Sequence, residues 1–470
     1  MIQVLARIVF KNFSYNILSI LITNIAGLIV TIYVARILKP ELFGIYSLAI
    51  SITFLILTFA DLGVNGTVTR YVADSLKMKD HALVRGYIRS LGLVKLLLSF
   101  LASLILFVVA IYSHMIFKKD LKVLEILTLY VIFFSLSAYI VSVFIGFNDF
   151  KPNFIRALVY ESTRVVSILI LVKILSVLGA LLGFVIASFA SFIVLTYMLI
   201  KSGYLLGVSK KINWHRVMRF IGYTTLASLT WTVFAYVDTI MIGMFLPAEF
   251  VGYYRVAFNI VGAIAGLISI PAVLYPVFVQ LEGMDLKNAF NRAFKYSAIL
   301  TFPIVIILIY LSDSIVIFVY GKDYIQASPA LCILSLLLFR SSLGFWGAIF
   351  SAKEKPEYPV YVTFVGMIVN VILNYIMILR WGIIGASLAT LLSNFMVWIA
   401  LAYLSKKHFN IFFDLDLIIK PTIASLSMYL GAQLNILIGI LSYILVLFLV
   451  KGLTKDDIRY FVKVILSVVS

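Results

Sequence analysis

The chain has 470 residues, of which 63% are apolar and 12% are charged, and its mean hydropathy is +1.12. A soluble domain carries roughly twice that share of charged residues, so the composition excludes a soluble fold and predicts a membrane protein. The net charge of +18 is distributed between apolar runs, which indicates topology signals and contacts with anionic membrane lipids rather than nucleic acid binding.

Apolar segments recur along the whole chain, and a span needs roughly 20 mostly apolar residues. With charges, Pro and Gly taken as breaks, we predict an all-α polytopic membrane protein with about 14 transmembrane helices. They lie at 14–36, 42–62, 88–112, 124–146, 155–175, 178–200, 218–244, 251–281, 294–312, 328–351, 358–379, 382–404, 417–433 and 435–450. Pro271 and Pro276 are predicted to bend the eighth span.

The order of the spans predicts four regions. Residues 1–200 form an N-terminal lobe of spans one to six, and 201–216 form a cytoplasmic linker. Residues 217–404 form a C-terminal lobe of spans seven to twelve, and 405–470 hold two extra spans and a tail. Lys and Arg concentrate in the N-terminal stretch, the even-numbered loops and the tail, which predicts cytoplasmic N- and C-termini in the plasma membrane.

Two segments repeat at long range. ILKPELFGIYSLA (Ile37–Ala49) returns about 208 residues later as FLPAEFVGYYRVA (Phe245–Ala257), with Leu, Glu, Gly, Tyr and Ala in register. A second echo, at about 206 residues, relates the LGA triplet at 178–180 to IGA at 384–386. Similar halves predict two pseudo-symmetric bundles with a central site between them and rocking of one half against the other, which is the architecture of a transporter.

Charged residues inside spans are costly in lipid and are therefore candidates for function. We predict a net-cationic cavity in which Arg binds phosphate or carboxylate oxygens in bidentate fashion. The candidates for substrate binding are Arg255, Arg164, Arg340, Lys95, Asn24, Asn259 and Tyr254. The candidates for coupling to an ion are Asp238 and Asp61.

Each candidate also has a structural interpretation. Glu161 can pair with Arg164 one turn later, and Asp238 with Arg255. Lys95 can extend to the membrane interface, and Asp61 can cap the turn that follows it. Arg340 can bind backbone carbonyls or lipid headgroups, the Asn residues can form interhelical hydrogen bonds, and the Tyr residues can belong to the interfacial aromatic belt.

Metal and cofactor chemistry has little support in the sequence. Cys332 is the single cysteine, and the four His residues are scattered without the spacing of metal ligands. We therefore predict no metal site and no cofactor.

Several segments together resemble a known family. They are PELFGIYSLA (Pro40–Ala49), DLGVNGTVTRYVA (Asp61–Ala73), DTIMIG followed by EFVGYYRVA (Asp238–Ala257), YGKDYIQASPALCIL (Tyr320–Leu334) and NVILNYIMILRWGIIGASLATLLSN (Asn370–Asn394). In order and spacing they resemble the Wzx-type polysaccharide flippases, in the superfamily that also holds the MATE drug exporters and the lipid II flippase MurJ.

The resemblance implies a flippase for a lipid-linked oligosaccharide on a polyprenyl phosphate or pyrophosphate. It also implies a V-shaped transporter of two lobes that works by alternating access, open inward and then outward. It places Arg255 in the eighth-span region where MurJ-like proteins have a cavity arginine. The full set of MurJ arginines in spans one and two is missing, which favours a general polysaccharide flippase. The resemblance also implies a protein that is not an enzyme and is a monomer, with glycan-assembly enzymes as partners.

Two other function classes remain. A cation-coupled multidrug exporter of the MATE type would need an anionic cavity and an acidic residue in the first span, whereas the charges within the spans lean basic. A membrane glycosyltransferase or polymerase would need a constellation of carboxylates or His on large loops, and the outer loops here are short. The source of energy for transport stays open.

Overall fold

The computed structural model describes residues 2–119, 121–268, 278–412, 414–454, 457 and 459, and these form helices without a β-strand. The helices are α1 (Ile2–Phe59), α2 (Val64–Lys77), α3 (His81–Ile111), α4 (Ser113–Phe117), α5 (Leu124–Gly146), α6 (Lys151–Lys201), α7 (Trp214–Phe245), α8 (Ala248–Leu267), α9 (Gly283–Tyr310), α10 (Ser312–Tyr320), α11 (Ser328–Ser335), α12 (Arg340–Leu343), α13 (Phe345–Ala352), α14 (Glu357–Phe409), α15 (Asp416–Ala432) and α16 (Ile436–Leu449). The all-α prediction is confirmed.

Nine helical segments of the described residues are long and apolar enough to cross a membrane, so the chain is a multi-pass membrane protein. The helices α1, α6 and α14 hold 58, 51 and 53 residues, more than one crossing requires. Each is interrupted by one non-helical residue, at Lys39, Ser176 and Gly382 respectively. The breaks at Lys39 and Ser176 fall between predicted spans, and Gly382 is the first residue of the predicted span 382–404. The lengths do not establish the predicted total of fourteen.

The breaks in α6 and α14 are tight reversals with nearly the same backbone angles, φ 54° and ψ −131° against φ 58° and ψ −134°. A Cβ on Gly179 would lie 2.0 Å from the carbonyl oxygen of Leu171, and one on Gly385 would lie 2.0 Å from that of Met377. Residues eight apart are about 12 Å apart along a straight helix, so the chain folds back at both places. The second sequence echo is therefore a repeated helical hairpin.

The two copies of the first echo contact each other. A Cβ on Gly44 would lie 1.8 Å from the carbonyl oxygen of Ala248, and one on Gly252 would lie 2.4 Å from that of Pro40. Pro40 and Ala248 occupy equivalent positions in the repeat, as do Gly44 and Gly252. The contact is reciprocal, like a contact across a two-fold axis. Glycine at both positions allows the backbones of α1 and α8 to approach this closely.

The chain divides into two compact units, residues 1–255 and 256–470. In the first, α2, α3 and α5 pack with the end of α6 around the stacked rings of Tyr71 and Tyr87, whose centroids are 4.9 Å apart. In the second, α9, α13 and α14 pack around the fully buried Trp346.

The lobe boundaries at 200 and 217 stay predictions, and Pro271 and Pro276, which were predicted to bend the eighth span, lie outside the described residues.

Candidate functional site

A cluster of arginines lies on α6. Arg164 Nη2 is 2.6 Å from Glu161 Oε2, so the predicted pairing of these two residues is present. Arg156 lies two turns before Arg164, and its guanidinium sits 5.0 Å from the ring centroid of Phe134 on α5. Nε of Arg164 and both Nε and Nη1 of Arg156 are buried without an acceptor among the described residues. Buried donors without acceptors are costly, so this cluster (the arginine cluster, Arg156, Glu161 and Arg164) fits an anionic ligand.

Aromatic rings surround the arginine cluster. The guanidinium of Arg164 lies 5.2 Å from the ring centroid of Phe184 and 5.5 Å from that of Tyr160. The hydroxyl of Tyr160 donates to that of Tyr130 over 3.3 Å, and Tyr130 meets Phe184 edge to face at 5.7 Å. Ring faces stabilise a cation in a membrane interior and also offer flat surfaces to sugars.

Tyr46, from the first copy of the repeat, connects two of the predicted arginines. The guanidinium groups of Arg164 and Arg255 both interact electrostatically with its hydroxyl group. Its ring packs against that of Phe184, with the two centroids 6.3 Å apart. Arg255 itself lies 5.8 Å from the ring centroid of Tyr236 on α7. The structure therefore brings Arg164 and Arg255, which are 91 positions apart in the sequence, to one aromatic region of the first unit.

Asp238 and Tyr254 form a buried pair on α7 and α8. The hydroxyl of Tyr254 donates to Asp238 Oδ2 over 2.7 Å, and the two residues are 2% and 1% exposed. Asp238 was a candidate for ion coupling and Tyr254 for substrate binding, whereas the geometry joins them in one hydrogen bond. The carboxylate is thereby held beside the repeat contact, where α8 meets α1.

Lys95 and Asp61 form an ion pair in which the lysine is buried and the carboxylate is 28% exposed. Lys95 Nζ lies 2.8 Å from Asp61 Oδ1, and the Lys95 side chain is only 1% exposed. The expectation that Lys95 extends to the interface is wrong, because the ammonium group turns inward to a carboxylate. Asp61 also accepts the backbone N–H of Asn65 over 3.1 Å, so the capping interpretation of Asp61 is correct alongside the ion pair.

The remaining predicted residues lie in other surroundings. Asn24 on α1 is exposed and follows Thr23, whose hydroxyl bonds to Glu161. Asn259 lies one turn after Arg255 on α8 and so shares its helix face. Arg340, in the second unit, is exposed where a short 3₁₀ segment meets α12. In the part of the chain that the structure describes, no three His, Cys, Asp or Glu side chains are grouped as metal ligands.

Arg156 and its aromatic neighbours were not among the site residues predicted from the sequence. Arg156, Tyr160 and Arg164 are spaced by four residues, which places them on one face of α6. That spacing was a usable signal. It was overlooked because Arg156 falls at the edge of a predicted span, where an arginine is ordinarily explained by the lipid headgroups.

Comparison with known proteins identifies relatives over most of the chain. Residues 9–282 match the family model described as polysaccharide biosynthesis protein. An uncharacterised membrane protein of Methanocaldococcus jannaschii is 24% identical over 419 residues, which cover 83% of this chain and 82% of that protein. A Haloferax volcanii protein named as the probable low-salt glycan biosynthesis flippase Agl15 is 28% identical over 224 residues, 46% of this chain and 47% of that protein.

Solved structures have the same fold. The lipid II flippase MurJ in an inward closed conformation superposes with a TM-score of 0.76 at 19% identity, over 95% of this chain and all of that one. A MATE family multidrug resistance transporter in an inward-facing conformation superposes with a TM-score of 0.61 at 15% identity, over 82% of this chain and 96% of that one. At these identities the similarity establishes the fold.

Proposed function

The chain belongs to the family of polysaccharide biosynthesis proteins, and from that premise we propose that it is a flippase for a lipid-linked oligosaccharide. The substrate is a sugar on a polyprenyl phosphate or pyrophosphate, and the protein moves it across the cytoplasmic membrane for polysaccharide or glycan synthesis. The observation that carries the proposal is the arginine cluster, whose buried guanidinium donors lack acceptors among the described residues. The relative named as a probable glycan biosynthesis flippase supports the same function.

The substrate's phosphate is the difficult part of the transport. Taking an isolated charge into hydrocarbon costs on the order of tens of kcal/mol, so a flippase must supply charges that replace water. Arg164 lies 13 residues into α6, about 20 Å along the helix and so near the middle of its first half. In the proposal, phosphate oxygens bind the free donors of Arg156 and compete with Glu161 for Arg164.

The sugars meet the aromatic side of the site. Tyr46, Tyr130, Tyr160 and Phe184 lie in the same region as the arginines and are buried in this structure, so their rings become accessible to a sugar only when the site opens. Ring faces contact the apolar faces of sugars without requiring one pattern of hydroxyl groups. This property fits a carrier that accepts an assembled glycan.

Transport proceeds by alternating access between two pseudo-symmetric lobes, without a covalent step, and so without enzymatic activity. The proposal places the protein in the plasma membrane as a monomer, with both termini in the cytoplasm. Glycan-assembly enzymes supply the substrate on one face and consume it on the other. Asp238 and Asp61 stay the proposed residues for ion coupling, and Asn24, Asn259 and Arg340 stay proposed contacts for the substrate.

The proposal is tested in proteoliposomes with a fluorescent polyprenyl-pyrophosphate oligosaccharide, by the fraction of substrate that reaches the opposite leaflet. Arg164→Ala and Arg156→Ala should each slow translocation about 10- to 100-fold, since a hydrogen bond to a charged group contributes about 1.5–3 kcal/mol. Lys173→Ala is the matched control, because Lys173 is an exposed cation on the same helix. Melting curves of the purified variants separate lost transport from lost folding.

Two results would contradict the proposal. One is a translocation rate in Arg156→Ala and Arg164→Ala equal to that of the control variant. The other is the absence of translocation for any lipid-linked sugar together with proton- or sodium-driven uptake of an organic cation dye. The second result would assign the protein to the drug-export branch of the superfamily.

A further inference from the structure

The segment between α6 and α7, residues 202–213 (the linker loop), is fastened to α3 through its backbone. Arg85 Nε donates to the carbonyl oxygen of Val208 over 2.8 Å, and Arg89 Nη2 donates to that of Leu205 over 2.6 Å. The backbone N–H of Lys210 donates to the carbonyl of Ala82 over 3.0 Å. Because these contacts use the backbone of the loop, the side chains of Leu206 and Val208 stay exposed, whereas Tyr204, Leu205 and Ile212 pack against the core of the first unit.

The outward side chains combine apolar and basic groups. Leu206 and Val208 are 73% and 79% exposed, and Lys211 is exposed next to them in the sequence. Lys77 and Lys79, at the end of α2, are exposed as well, near the Asp80 to which Lys210 is paired at 2.6 Å. Among the described residues, no acidic side chain pairs with Lys77, Lys79 or Lys211.

The position of the loop along α3 places it at a membrane surface. From Leu91 to its end at Ile111, α3 carries a single charged residue, the buried Lys95. At about 1.5 Å per residue, Arg89 and Arg85 lie about 33 and 39 Å from Ile111. The hydrocarbon layer is about 30 Å thick and the bilayer with its headgroups about 40–45 Å. The two arginines therefore hold the linker loop at the level of the headgroups.

We propose that the linker loop, together with the end of α2, is a binding surface for anionic phospholipid headgroups. Lys77, Lys79 and Lys211 contact the lipid phosphates, and Leu206 and Val208 enter the acyl chains just beneath them. Basic residues next to exposed apolar ones are the combination that anionic leaflets bind. Arg85 and Arg89 are positioning residues, because they fix the backbone of the loop and leave Leu206, Val208 and Lys211 to the lipid.

Fluorescence measurements locate the loop directly. In a Cys332→Ser background, Val208→Cys carries an environment-sensitive fluorophore, and the full chain is placed in nanodiscs of phosphatidylcholine with or without phosphatidylglycerol. We expect spin labels on lipid headgroups to quench the fluorophore and aqueous iodide to be excluded when phosphatidylglycerol is present. Equal quenching by iodide in both lipids, without quenching by the headgroup labels, would overturn the proposal and assign the surface to an acidic soluble protein.

A titration with lipid tests whether the lysine side chains bind the anionic headgroups. Phosphatidylglycerol added to the protein in detergent should raise its melting temperature, whereas phosphatidylcholine should not. The double variant Lys77→Gln, Lys211→Gln should raise the half-saturating concentration of phosphatidylglycerol about 25-fold, about fivefold for each lysine. Lys322→Gln, the same change at an exposed lysine of the second unit, should leave it unchanged. An equal shift in the double variant and in Lys322→Gln would refute a localised surface.

Discussion

The reciprocal contact between the two copies of the repeat predicts a large effect for a single methyl group. In Gly44→Ala the new Cβ would lie 1.8 Å from the Ala248 carbonyl oxygen, 2.6 Å from its carbon and 3.2 Å from the backbone nitrogen of Gly252. Ordinary contact begins near 3.4 Å, so the helices must separate by about 1.5 Å. Overpacking costs about 1–3 kcal/mol, and a backbone that cannot rotate away places this variant at about 3 kcal/mol.

The measurement is the free energy of unfolding in mixed micelles as the fraction of denaturing detergent increases. Gly66→Ala is the matched control, because a Cβ at Gly66 in α2 would meet nothing within 4 Å. That variant should gain about 0.5–1 kcal/mol, the ordinary preference for Ala over Gly in a helix. If Gly44→Ala unfolds at the same free energy as wild type while Gly66→Ala gains stability, then α1 and α8 do not approach as closely as the structure has them.

Two further effects follow from ion pairs in the first unit. Lys95→Met should lower the unfolding free energy by about 1–3 kcal/mol, because Asp61, 28% exposed, loses its charged partner. The double variant with Asp61→Leu should recover most of that loss, and additive costs in a double-mutant cycle would contradict the pairing. Outside the spans, the hydrogen bond from Lys210, aided by the backbone N–H of Leu83, holds the pKa of Asp80 below its ordinary value of 3.8. The stabilisation that Asp80 contributes is therefore complete above pH 3.8 and is lost as the pH falls through the lowered pKa. The melting temperature of wild type should therefore fall more steeply below about pH 4 than that of Asp80→Asn, and parallel curves would contradict this sign.

The sequence was sufficient to predict the helices and insufficient to predict the contacts between them. Apolar length, together with breaks at charges, Pro and Gly, predicted the helices and a boundary between spans at 379–382, beside the reversal at Gly382, because these features depend on local chemistry. The Lys95–Asp61 pair could not be predicted, since Lys95 lies in α3, 34 positions after Asp61 in the turn between α1 and α2, and neither residue indicates the other. Likewise, the repeat indicated that Gly44 and Gly252 are equivalent, but equivalence alone does not say that they touch.

The two copies of the repeat share their packing residues and differ in their charges. Tyr46 and Tyr254 are equivalent, yet Tyr46 lies near the arginines whereas Tyr254 donates to Asp238. The next position is the buried Ser47 in the first copy and Arg255 in the second. A reciprocal crossing of α1 and α8 built on glycine is thus combined with cations at different positions of the two copies, Lys39 in the first and Arg255 in the second. In the proposed function, the shared glycine packing preserves the crossing of α1 and α8, while the positions that differ between the two copies supply the groups that bind an anion.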